Sequence, residues 1–168
     1  MYTTASALSE NVRGKIIEDL GTCLAEGLDL YSQIKTAHWN LRGPNFAALH
    51  PLFDKFARKV ARYSDEIAER AVALGGHVRG TVRNAAKGSR LPEYPSNIVS
   101  DLEHSKALSE RFASFAESLK SVEESAQKVG DAETANMLAG MVMKMQKYAW
   151  FLNATIDRTF EKQRVKAA

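Results

Sequence analysis

Between positions 38 and 69 the sequence sets out two imidazoles and three carboxylates with spacings that could hold a cation. His50 and Asp54 stand four residues apart, as do Asp65 and Glu69, so on a helix each pair shares one face and could grip an ion. His38 precedes a short breaker (NLRGP, residues 40–44), which brings it near the start of the following helix, where it can supply a second imidazole. At 100° per residue, His50, Asp54, Asp65 and Glu69 fall within a sector of about 100°, centred roughly 155° from the apolar stripe of their own segment. Four polar residues pointing away from the core could simply be a solvated face. The same sector, however, contains Ala57, Ala61 and Ala68, small residues that admit another helix rather than the Lys and Glu of a wetted surface.

The rise of about 1.5 Å per residue puts Asp54 and Asp65 about 16 Å apart along the axis, while metal–ligand bonds are about 2 to 2.5 Å long. One chain cannot bring both pairs to one ion. A second copy of the same helix, packed antiparallel across a two-fold axis near residue 60, would bring His50 and Asp54 of one chain to Asp65 and Glu69 of its mate, twice over. The geometry therefore predicts a dimer with two shared cation sites.

The elements that must position these residues follow from apolar periodicity. Residues 6–37 form a first helix on Ile16, Leu20, Leu24, Leu28, Tyr31 and Ile34, with Cys23 beside the stripe. A second helix runs from about Ala47 to Leu74 on Phe53, Phe56, Val60, Tyr63, Ile67, Ala71 and Leu74, stops at Gly75-Gly76, and tolerates Pro51 near its first turn. Residues 77–97 show no helical period and read as a long connection. Ser100 and Glu103 form a capping box for a third helix on Leu108, Phe112, Phe115, Leu119 and Val122, which Gly130 ends. A fourth helix begins near Asp131 with Leu138, Met141, Met145, Tyr148, Leu152 and Ile156. The expected fold is all-α: a four-helix bundle with one long crossover between its second and third helices, the connectivity of ferritin-like bundles. Di-iron bundles of that kind carrying the metal inside need Glu-x-x-His on two helices, and this sequence has none. Asp101-x-x-His104 comes nearest; His104 reads as a hydrogen-bonded structural histidine, Asp101 as serving the helix N-terminus, and His77 as a surface residue.

At 168 residues, 45% hydrophobic and 26% charged, the chain fits a single globular domain over 1–168. Its longest apolar run, residues 137–143, is far short of the roughly 18 residues of a membrane span. The N-terminus lacks the pattern of an export signal and the one cysteine, Cys23, cannot form an internal disulfide, so a cytoplasmic location is expected. The net charge of +3 resides in the last residues: Arg158, Lys162, Arg164 and Lys166 face only Glu161, forming a basic tail over 158–168 opposite a short N-terminal tail over 1–5. A second basic stretch, Arg70, Arg79, Arg83, Lys87 and Arg90, contains no acid.

The run AHWNLRGPNFAALHPLFDKFARKVARYSDEIAERAVALGG resembles the signature segment of the Dps family, the miniferritins named as DNA-binding proteins from starved cells. Weaker similarity extends to Tyr94-Pro95 and to KYAWFLNATI in the last helix. By this resemblance His38, His50 and Asp54 would be iron ligands from one subunit and Asp65 and Glu69 ligands from its two-fold mate. The resemblance further implies a hollow dodecamer that oxidises Fe(II), preferably with hydrogen peroxide, and stores the ferric mineral, protecting DNA. Three carboxylates with two imidazoles suit an ion passing from Fe(II) to the harder Fe(III), although zinc could occupy the same donors as a surrogate. Trp39 would intercept stray radicals in that family, or else packs at an interface. Glu123, Glu124, Asp131 and Glu133 fall where the family has acidic pores, or form a solvated turn. DNA binding in the family often uses a lysine-rich N-terminal tail, yet the first twelve residues here hold no Lys or Arg. The alternative function is therefore a sequence-independent, nucleoid-compacting DNA binder working through Arg158, Lys162, Arg164 and Lys166, unless the last helix continues through them.

Overall fold

The computed structural model describes residues 2–157. The basic tail, with Arg158, Lys162, Arg164 and Lys166, lies outside the described residues. Four long helices form the bundle: α1 Glu10–Asn40, α2 Phe46–Ala73, α4 Asp101–Lys128 and α5 Ala132–Ile156. The crossover is not featureless, because α3 Val82–Gly88 lies within it, packed on α1. Seven residues are too few to show an apolar period; Thr81 starts this helix by accepting a hydrogen bond from the Asn84 amide, and buried Ala85 seats it.

The stripes expected on α2, α4 and most of α5 are buried, with Phe53, Phe56, Phe112 and Phe115 among the largest side chains at the centre. On α1 the phase differs. Tyr31 is exposed, Leu28 is half-buried, and the core line instead runs through Gly27 and Leu30. A Cβ at Gly27 would lie 2.6 Å from Ser64 Oγ, so the glycine leaves room there for the side chain of α2. Helix α1 begins at Glu10 rather than residue 6, because the Ser9 side chain accepts from the Val12 amide. The N-terminal residues are not a loose tail: the Tyr2 amide donates to the Gly75 carbonyl and the Thr4 hydroxyl to the Ala73 carbonyl. Cys23 is fully buried, and its thiol is pushed up to about 12 by burial, reinforced by the Glu26 carboxylate.

The capping box of α4 is present, with Ser100 Oγ accepting from the Glu103 amide and Glu103 Oε2 from the Ser100 amide. Asp101 acts on a different helix from the one expected. Its carboxylate accepts from the Asn45 amide at 2.7 Å, at the start of α2, while its own amide donates to the Arg42 carbonyl and the Arg42 amide to Val99. Gly43, at φ 145°, makes room, since a Cβ there would lie 2.5–2.6 Å from the Asp101 carboxylate. The α1–α2 turn is thereby stapled to the head of α4.

His104 is buried; its Nδ1 meets the Tyr94 hydroxyl at 2.6 Å, and its Nε2 has no partner among the described residues. Burial holds its pKa below the usual 6.5, with nearby Glu103 opposing. The unfolded chain therefore takes a proton on this ring before the folded one does. The stability this confers is complete above about pH 6.5 and is lost as pH falls through the folded value. Thermal melts taken from about pH 7 to 5 should show the midpoint falling, and His104→Gln should flatten that slope.

Asp131, expected at an acidic pore or in a solvated turn, instead has a fully buried side chain. It accepts from the Thr134 amide as the cap of α5, from the Thr134 hydroxyl, and from Arg70 Nη2 at 2.6 Å, which ties the end of α2 to the start of α5. Asp131→Ala should cost about 2–3 kcal/mol, a lost cap plus an ion pair whose arginine still reaches solvent, read as a lower urea midpoint at unchanged slope.

Candidate metal centre

The stapled turn sets the last helical turn of α1 beside the first turns of α2, and there two of the expected donors meet. The His38 and His50 rings stack with centroids 3.8 Å apart at 29°, and Phe46 lies against His50 at 4.9 Å. His38 Nδ1 is 2.9 Å from the His50 carbonyl oxygen. A carbonyl only accepts, so Nδ1 carries the proton and Nε2 keeps its lone pair, the tautomer a metal ligand needs. Both rings are half-buried.

Asp54 lies one turn beyond His50 on α2, half-buried. Lys35 Nζ donates to its Oδ1 at 2.9 Å and Arg58 pairs with its Oδ2. The Lys35 ammonium, with smaller help from Arg58, holds the Asp54 carboxyl below the usual carboxylate range, so it is ionised at neutral pH. These two cations were not anticipated. Arg58 is readable as an i, i+4 partner, whereas Lys35 arrives from α1, nineteen residues away in sequence, and only the α1–α2 pairing reveals it.

Asp65 and Glu69 are exposed farther along α2 and are not brought to the other three. Among the described residues no group of three or more His, Cys, Asp or Glu side chains is gathered tightly enough to hold an ion. The outward face of α2 departs from expectation at one point: Ala57 is buried in the subunit core, while Ala61 is exposed and Ala68 half-buried. Trp39, next to His38, is 70% exposed with Lys35 Nζ 5.9 Å from its ring centroid. His77 is exposed, as expected for a surface residue.

A family model described as a ferritin-like domain matches residues 17–160. The DNA protection during starvation protein of Agrobacterium fabrum is 34% identical over 156 residues, which span 93% of this chain and 96% of that relative. The chain belongs to the ferritin-like Dps family. A Dps of Mycobacterium smegmatis superposes with a TM-score of 0.88 at 25% identity, covering 95% of this chain and 96% of that one. The Dps protein of Vibrio cholerae, described as one of a broad superfamily of ferritin-like diiron-carboxylate proteins, shares the fold with a TM-score of 0.86 at 22% identity, over 94% and 98% of the two chains. Buried His104 is held by Tyr94 rather than by a carboxylate. No helix among the described residues is long and apolar enough to cross a membrane.

Proposed function

We propose that this chain is a ferroxidase and iron store whose oxidation sites are completed by a second copy. The observation that carries the reading is the stacked His38–His50 pair with Asp54 at one end of the outward face of α2, and Asp65 with Glu69 left unmatched at the other. An antiparallel α2 of a two-fold mate would set its Asp65 and Glu69 opposite His38, His50 and Asp54, twice per pair. Each site then offers two imidazoles and three carboxylates, a set suited to Fe(II) entering and Fe(III) leaving.

Iron here is substrate. His38 offers Nε2, because its other nitrogen is committed to the His50 carbonyl. Asp54 arrives already ionised, and a bound cation must draw it from Lys35 or Arg58 or share it with them. Ferrous ions lose one electron each, and a peroxide molecule accepting two, with two protons, leaves as water. Hydrogen peroxide as the preferred oxidant, and a closed dodecameric shell holding the ferric mineral, complete the reading on the strength of the family resemblance. Zinc would take the same donors and act as an inhibitor rather than a substrate, since it has no redox chemistry.

Complementation tests the sharing. His50→Ala and Asp65→Ala assemblies should each lose iron oxidation. A pair containing one chain of each keeps one complete site, because the other site collects both lesions. Unfolding and refolding the two variants together should restore about a quarter of wild-type activity, since about half the pairs are mixed and each mixed pair has one of two sites. Confirmed mixed pairs with no activity would mean that the ligands are not shared in this way.

A further inference from the structure

His104 is 1% exposed, and its Nε2 has no hydrogen-bond partner among the described residues. Its Nδ1 meets the hydroxyl of Tyr94, which the crossover brings in, and the two rings lie 6.0 Å apart between centroids at 11°. Burial keeps the Tyr94 phenol protonated far above neutral pH, so the hydroxyl donates and Nδ1 of the neutral imidazole accepts. The ring's own proton then sits on Nε2, a buried donor without an acceptor.

A second proton on this ring undoes the contact. Nδ1 becomes a donor facing a donor, so the hydroxyl must turn and leave its proton unmatched. The ring also becomes a cation against Tyr94, which already carries the buried Arg111 guanidinium 5.7 Å from its ring centroid. Glu103, exposed on the same helix, is the charge that acts on the imidazole and favours its protonation, while the Asp101 carboxylate one turn earlier is turned to the Asn45 amide. Among the described residues neither α1 nor α5 brings a charge to bear on the ring. A buried imidazolium is therefore poorly compensated in the closed arrangement and is relieved when water reaches it.

We propose that Tyr94 and His104 form an acid-released latch, in which protonation of His104 expels the Tyr94 side chain from the core and frees residues 94–99 of the crossover. Tyr94 is the buried anchor of this stretch, for residues 96, 97 and 99 are exposed and 95 and 98 half-buried. Just upstream, Gln33 Nε2 holds the Pro92 carbonyl and Arg111 Nη2 the Glu93 carbonyl, so release at Tyr94 does not loosen the whole crossover. Downstream, the Val99 carbonyl accepts from the Arg42 amide, in the same clasp that sets His38 beside His50. Opening the latch thus reaches the candidate iron ligands, a consequence that rests on the ferroxidase reading, whereas the latch itself does not.

The test is amide hydrogen exchange of the full-length protein at pH 7 and pH 5.5, corrected for intrinsic exchange and read peptide by peptide. An imidazole in the open latch titrates near 6.5 and in the closed one lower. Opening therefore gains up to about tenfold for each pH unit below about 6.5, until the closed value is reached. In wild type the amides of 94–99 should exchange at least about threefold faster at pH 5.5 than at pH 7, while those of α3 in the same crossover stay level. His104→Gln, which cannot take the charge, should abolish the difference, and Tyr94→Phe should exchange fast in this stretch already at pH 7. Unchanged particle size and far-UV circular dichroism keep either variant from being a folding failure. No acceleration at 94–99 in wild type, or the same acceleration in His104→Gln, would overturn the latch. Iron oxidation should also fall more steeply with acid in wild type than in His104→Gln, and equal profiles with full oxidation at pH 7 would overturn the link to the iron site. The exchange data need no iron, so they decide the latch separately from the ferroxidase reading.

Discussion

The carboxylate of Asp101 is the point on which the end of this molecule that bears the candidate ligands depends. It crosses from the first turn of α4 to the Asn45 amide, and the reciprocal backbone bonds among Arg42, Val99 and Asp101 close a small clasp around Gly43. That clasp fixes the angle at which α2 leaves α1. The angle decides whether the His38 ring meets the His50 ring and whether Lys35 reaches Asp54. A buried carboxylate without its amide partner would carry a desolvation penalty, so the turn has one favourable arrangement rather than several. The far end is tied in a similar way, through Arg70 and the buried Asp131. The two carboxylates hold α2 at both ends of the face that bears the candidate ligands.

Much of this was legible in the sequence because helices announce themselves by period. The stripes of α2 and α4 fell on the buried residues, and the Ser100–Glu103 box marked the start of α4. The misses have physical reasons. Tyr31 fits a helical stripe arithmetically, but the buried line of α1 runs through Gly27 and Leu30 instead, and a glycine carries no apolar signal by which arithmetic could find that line. Ala57 looked like part of an outward contact surface, yet alanine is equally at home in a core and its side gave no signal. Asp101 read as serving its own helix and Asp131 as an acid of a pore or a solvated turn, since nothing local reveals that each is buried by a partner more than fifty residues away.

The candidate ligands were legible for a different reason. Spacings of four along one helix establish which donors share a face, and the rise per residue establishes which cannot share an ion, so the incompleteness of the centre could be read before any coordinates. The electrostatics around those donors could not be read this way. Lys35 and Arg58 make Asp54 an ionised carboxylate already solvated by protein, so a cation bound there as proposed would exchange partners instead of stripping water from a bare charge. Such exchange would favour ions that bind strongly enough to compete with an ammonium and a guanidinium.

The placement of Cys23 bears on how long such a protein could work. Thiolates are the form of cysteine that oxidants attack, climbing from sulfenic to irreversible sulfinic and sulfonic acids. Here the only sulfhydryl of the chain lies in the core beside Glu26 and keeps its proton up to about pH 12. Oxidant reaching the surface finds no cysteine thiolate to consume and no thiol with which neighbouring chains could become cross-linked. The scaffold is thus chemically inert at cysteine toward the kind of reagent it is proposed to remove, so thiol oxidation is closed as a route of damage to it.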